Sequence, residues 1–237
     1  MRRAGQIVAQ TLRLVARTAR PGITTAALDR LAEQAIREAG AVPSFKGYRG
    51  YPATLCTSIN DEVVHGIPSE RRVLCDGDLL KIDCGAIYRG WHGDAAITVV
   101  VGRGSPRAQR LVADTRAALS RGVAAVRPGG HVGDIGQAIE QYALDRGYEV
   151  VREYCGHGVG RHLHEAPPVP NFGPAGEGPR LVPGMTLAIE PMLTTGTWET
   201  AAQPDGWTVK TRDGGLAAHF EHTVAVTEYG AEILTLP

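Results

Sequence analysis

Apolar residues recur at helical spacing in two stretches near the start of the chain: Ala4, Ile7, Val8, Leu12 and Val15, then Leu28, Leu31, Ala35 and Ile36. The arrangement returns later with Leu111, Val112, Thr115, Leu119 and Val123, then Val132, Ile135, Ile139 and Tyr142. This spacing predicts four amphipathic helices in two pairs. Each second helix follows a Pro-Gly step, Pro21-Gly22 or Pro128-Gly129, and stops at Gly40 or Gly147. At the same offset of 107 residues, Glu33 and Gln34 meet Glu140 and Gln141. We read one domain over residues 1–237 with an internal repeat, approximately 1–105 and 106–237.

After each helix pair come β-branched and apolar runs: LLKIDCGAI and DAAITVVV in the first half, YEVVREY, MTLAIE, WTVKT and HFEHTVAVT in the second. The predicted fold is α/β in the α+β sense. Two halves related by a pseudo-twofold axis share one mainly antiparallel sheet, with the helices covering one face. A site built from both halves would lie at their seam.

Composition narrows the function. Lys plus Arg and Asp plus Glu both number 25, so no net charge draws the chain to nucleic acid or anionic lipid, although a local basic patch remains open. Cys56, Cys75, Cys84 and Cys155 form no CxxC pair, which argues against a structural zinc knuckle. The start, MRRAGQIVAQ, has no apolar core of a signal peptide, and no run reaches the roughly 20 apolar residues of a membrane span. A cytoplasmic setting with free thiols is expected.

Four acids sit inside strand-like runs. Asp83 and Asp94 flank a hairpin turn near Tyr88-Arg89-Gly90. A turn centred between Tyr88 and Arg89 places them directly opposite, with Cβ atoms about 4.5–5.5 Å apart. Two buried carboxylates there repel unless they share a proton or hold a divalent cation. A wide turn on an exposed edge, or a bulge, would leave them merely solvated. Glu190 ends MTLAIE before Pro191, and Glu221 lies within HFEHTVAV. An acid in such a run is seldom buried without a partner.

The segment YCGHGVGRHLHEAPPVPN is rich in glycine and histidine. A dinucleotide loop would need a helix directly after it, and Pro167, Pro168 and Pro170 prevent a long one. The glycines are expected to let the backbone pass close to a ligand, with His157 and His164 facing one cavity. His92 and His131 read as turn or surface residues. His222 alternates away from Glu221, whereas His219 shares its face. No GxSxG elbow supports a serine hydrolase.

Taken together, TSINDEVVHGIP, KIDCGAIYRGWHGDAA, EYCGHGVGRHLHEAP, GMTLAIEP and HFEHTVAVTEYGAEILT resemble the type I methionine aminopeptidases, which have the pita-bread fold. The match runs in order through nearly the whole chain. The resemblance implies a single catalytic metallopeptidase domain that removes N-terminal methionine and prefers a small second residue. It implies two divalent metal ions, with Co, Mn, Fe and Zn all open. Asp94 and Glu221 would bridge them, Asp83 would complete one site, and His157 with Glu190 the other. Glu190 would also accept the proton of the attacking water. His164 would bind the carbonyl oxygen, and His65 would meet the scissile amide nitrogen. The methionine pocket would include Tyr48, Tyr51, Cys56, Leu163 and Trp207. Implied partners are Met-initiated peptides and nascent chains near the ribosome, with no direct contact to nucleic acid or membrane. A monomer fits the family.

Three departures stand out. Leu163 replaces the family's usual phenylalanine, His162 its usual glycine, and a short stretch before the first helix is missing. The chain also lacks the insertion of type II enzymes and the zinc-binding extension of eukaryotic type I enzymes, which favours a bacterial source. The alternatives are an X-Pro dipeptidase on the same fold and a non-catalytic binding homologue.

Overall fold

A computed structural model describes residues 1–237. Four helices form: α1 (Arg2–Thr18), α2 (Thr25–Glu38), α3 (Pro106–Ala125) and α4 (Val132–Leu144). Their boundaries carry the repeat. α1 and α3 end at residues 18 and 125, and α2 and α4 begin at 25 and 132, both an offset of 107. The glycines at these junctions match as well. Gly22 and Gly129 have φ of 88° and 86°, and Gly40 and Gly147 have φ of 74° and 75°, values that a side chain disfavours.

All strand pairings are antiparallel. They fall into four ladders rather than the single sheet expected. In the first half, Leu79–Tyr88 pairs along its length with Trp91–Val100 and on its other side with Leu55–Ile59 and Val42–Pro43. In the second half, two long strands are each broken in the middle. Thr186–Ile189 and Met192–Thr194 are separated by Glu190-Pro191, and Ala217–His219 and His222–Thr227 by Phe220-Glu221. The two fragments of each strand join different ladders: Thr186–Ile189 pairs with His222–Thr227, and Met192–Thr194 with Ala217–His219. Pro191 has no N–H to continue its ladder. Both breaks therefore fall at an acid singled out from the sequence.

The apolar faces close over two clusters. α1 and α2 cover the hairpin with Ile7, Leu28, Ile36, Leu80 and Ile82, while α3 and α4 cover the second half with Leu111, Ile135, Ile139, Leu187 and Val224. Burying each such side chain contributes about 1.5–3 kcal/mol. Ile97 packs against both clusters and ties the halves together. No helix is long and apolar enough to cross a membrane.

Candidate metal centre

The hairpin turn differs from the symmetric expectation. Tyr88 pairs with Trp91, so the turn residues are Arg89 and Gly90, both at positive φ (51° and 76°). Such a two-residue turn matches the twist of the flanking strands. It moves the register by one pair: Asp83 lies opposite Ala96, and Asp94 opposite Gly85. The two aspartates are thus diagonal neighbours on one face, with a wider gap (about 7–8 Å for such pairs) than directly opposed residues. That gap leaves room for a cation between them.

The second half supplies the remaining donors. Glu221 donates its N–H to the carbonyl of Ala96 at 2.8 Å, which fixes its strand break against the hairpin. The Thr223 hydroxyl bridges to Asp94, donating to its carbonyl at 2.7 Å and accepting from its N–H at 3.0 Å. His157 sits on Gly156–Gly158 beside Ala188, and its Nδ1 hydrogen-bonds the Gly158 carbonyl at 2.8 Å. This leaves Nε2 as the free donor atom. Nε2 lies 3.9 Å from Asp94 Oδ2 and 3.7 Å from Glu190 Oε1. Donor atoms of Asp94, His157 and Glu221 lie within 4.8 Å of one another.

The glycines around His157 let neighbouring strands approach: a Cβ on Gly156 would lie 2.2 Å from the Ala188 carbonyl oxygen, and one on Gly158 would lie 2.2 Å from that of Ala166. Gly156 also lines the cavity described below. His92 differs from the expected turn or surface position. It is buried on the hairpin strand with Nδ1 2.9 Å from Ser44 Oγ, because the shorter turn draws it into the ladder. His219 does lie near the acids, with Nε2 3.4 Å from Glu190 Oε2.

The electrostatics of this cluster call for positive charge. Asp83, Asp94, Glu190 and Glu221 all have pKa values pushed up, first by burial and, for each of the first, second and fourth, also by neighbouring carboxylates. Asp83 Oδ1, Asp94 Oδ1 and Glu221 Oε1 are buried without a hydrogen-bond partner. Each such orphan costs about 1–3 kcal/mol or more when charged. Oxygen donors that lack hydrogens to accept, plus one free imidazole nitrogen, are the donor set of a divalent cation site. The residues present therefore fit a metal centre.

The cluster forms the floor of a cavity of about 590 Å³. All twelve site residues named from the sequence line it: Tyr48, Tyr51, Cys56, His65, Asp83, Asp94, His157, Leu163, His164, Glu190, Trp207 and Glu221. Beside the acids lies an apolar subsite of Phe45, Tyr51, Ala53, Cys56 and Leu163, flanked by Tyr48 and Trp207. Cys56 is the strand partner of Asp83, so this subsite abuts the acid cluster directly. Tyr51 donates its hydroxyl to the carbonyls of Leu55 and Gly66, and its ring meets Trp207 edge-on at 5.0 Å. His164 Nδ1 lies 2.7 Å from the Tyr48 hydroxyl. His65 is held at φ 60°, a strained conformation of the kind that clusters at functional sites, and burial lowers its pKa to about 4. Phe45, Arg49, Cys155 and Glu165 also line the cavity and were not picked out from the sequence. The closeness of Cys155 to His157 was the one available signal.

The model of metallopeptidase family M24 matches residues 1–228. The chain belongs to this family. Its M24 relatives include a methionine aminopeptidase of Clostridium acetobutylicum, 52% identical over 236 residues that span 100% of this chain and 94% of the relative. Methionine aminopeptidase 1 of Mycobacterium tuberculosis is also 52% identical, over 100% of this chain and 91% of its own length. Among solved M24 structures, the methionine aminopeptidase of Thermotoga maritima superposes with a TM-score of 0.99 at 45% identity, covering 100% of this chain and 95% of that one. The pita-bread fold expected from the sequence is the fold of the chain, with antiparallel ladders and four helices.

Proposed function

We propose that this M24 enzyme removes the N-terminal methionine from peptides and nascent proteins, using two divalent cations held by Asp83, Asp94, His157, Glu190 and Glu221. The observation that carries this reading is the junction of two chemistries in one cavity: five candidate metal-ligating side chains on its floor and an apolar subsite beside them. Asp94 and Glu221 come from opposite halves and meet at the seam, where they would hold the cations in common. Four carboxylates balance the charge of the pair. Co, Mn, Fe and Zn all suit the donor set, and availability selects among them.

When bound, the cations polarise the scissile carbonyl, lower the pKa of the attacking water toward neutrality and take the free amine of the substrate. The side chains do the rest. Glu190, whose proton affinity is raised by burial, takes up the proton of the water. With the Tyr48 hydroxyl donating to His164 Nδ1, His164 Nε2–H is free to donate to the carbonyl oxygen as charge develops there. His65 is neutral near pH 7 and orients the scissile amide. The subsite of Phe45, Tyr51, Cys56, Leu163 and Trp207 holds the methionine thioether, where sulfur–aromatic contacts contribute about 0.3–1.5 kcal/mol. The family pattern adds a small second residue and substrates met near the ribosome.

The discriminating assay compares Met-Ala-Ser with Ala-Pro. Rapid release of methionine from the first with no cleavage of the second supports the proposal. Preference for Ala-Pro makes the chain a dipeptidase and sinks it.

A further inference from the structure

A second cavity of about 380 Å³ shares no lining residue with the metal centre. It lies between the start of α3 and the end of α4, and Arg107, Arg110, Asp114, Arg146, Tyr148 and Thr195 line it. The chain is neutral overall, so three guanidinium groups around one pocket are a local concentration of charge. Asp114 pairs with Arg146, whose Nε lies 3.3 Å away, and accepts from Tyr148 at 3.0 Å and Tyr142 at 3.4 Å, so it offsets one of the three guanidinium charges and leaves two in excess. Arg146 is held further by stacking on Tyr142, 3.6 Å from the ring centroid. Arg107 is anchored by the Thr195 carbonyl at 3.2 Å. Arg110 makes no hydrogen bond or ion pair within the chain.

The first turn of α3 carries no acid and holds Arg107, so no carboxylate there offsets the pocket's charge. α1 opens in the same way, with Arg2 and Arg3 in an acid-free first turn and Arg3 the counterpart of Arg110, but the rest of the pocket is particular to the second half: the counterparts of Asp114, Arg146 and Tyr148 are Ile7, Ala39 and Ala41.

We propose that this pocket binds a phosphate group through Arg107, Arg110 and Arg146. Arg107 and Arg110 come from α3 and Arg146 from the end of α4, and guanidinium forks pair with phosphate oxygens two at a time. The cavity also has room for the sugar of a nucleotide. The phosphate comes either free or from an RNA backbone, and two titrations separate these sources.

Metal-loaded enzyme is titrated with inorganic phosphate by calorimetry, and with a short single-stranded RNA by fluorescence anisotropy. Arg110→Glu breaks no contact within the chain, and Arg103→Glu makes the same charge change outside the pocket. The expected result is saturable binding that weakens about tenfold or more in R110E, as for loss of a charge-assisted hydrogen bond, and holds in R103E. Hydrolysis of Met-Ala-Ser stays unchanged in R110E. R110E-sensitive binding of phosphate alone identifies a free-phosphate site, and of RNA alone a phosphodiester site. No saturable binding of either probe, or equal binding by wild type and R110E, overturns the proposal. So does equal loss in R110E and R103E.

Discussion

Glu221 donates its backbone N–H to the carbonyl of Ala96 at 2.8 Å, and with the Thr223–Asp94 pair this bond joins the halves of the molecule at their chemistry. Ala96 is two residues from Asp94 on the same face of its strand and lies opposite Asp83. The bond therefore sets three of the four carboxylates against one another. The fourth, Glu190, stands at an offset of 107 from Asp83, the same interval that relates the helices.

Because Asp94 is assigned to both cations, Asp94→Ala is expected to abolish turnover and lower metal content at both positions. Elemental analysis of the purified variant measures this. Full occupancy would refute the bridging role.

Removing metal exposes the cost of the buried acids. Burial raises the folded-state pKa of Glu190 from 4.5 to about 7. A carboxyl with a raised folded pKa stabilises the fold below its unfolded value, and that contribution is lost as pH rises through the folded value. Glu190→Gln has no such loss. The Tm of metal-free E190Q minus that of metal-free wild type should therefore grow between pH 5 and pH 8. A constant difference would count against the assignment.

His164 is assigned to the developing oxyanion, so His164→Ala should lower kcat about 10²–10³-fold with little change in KM. Tyr48→Phe removes the hydrogen bond to Nδ1 but keeps the imidazole, and should cost less. Steady-state kinetics with Met-Ala-Ser test both. A larger loss in Y48F than in H164A would contradict these roles.

Leu163 is buried against the methionine subsite. Leu163→Phe would add a sulfur–aromatic contact and raise kcat/KM for Met over Leu at the first position about 2–10-fold. Competition between Met-Ala-Ser and Leu-Ala-Ser reads this ratio, and an unchanged ratio excludes Leu163 as a determinant.

Much of this architecture was legible because it rests on periodicity. The four helices, the strand positions of Asp83 and Asp94, and the strand-like runs around Glu190 and Glu221 follow from apolar spacing. The hairpin register was not, because Arg89 adopts a left-handed conformation that its residue type does not signal. His92 enters the ladder opposite Ile87 for the same reason, rather than lying in the turn or on the surface. The single expected sheet failed at Glu190-Pro191 and Phe220-Glu221, where the strands break to present acids. Phe45 and Arg49 reach the cavity through tertiary packing, which no local pattern encodes.

The most direct measurement is hydrolysis of Met-Ala-Ser by enzyme stripped with a chelator and then reloaded with Mn(II) or Co(II). The account predicts no methionine release from the stripped enzyme and recovery that tracks metal binding. Turnover that survives complete removal of metal would contradict it.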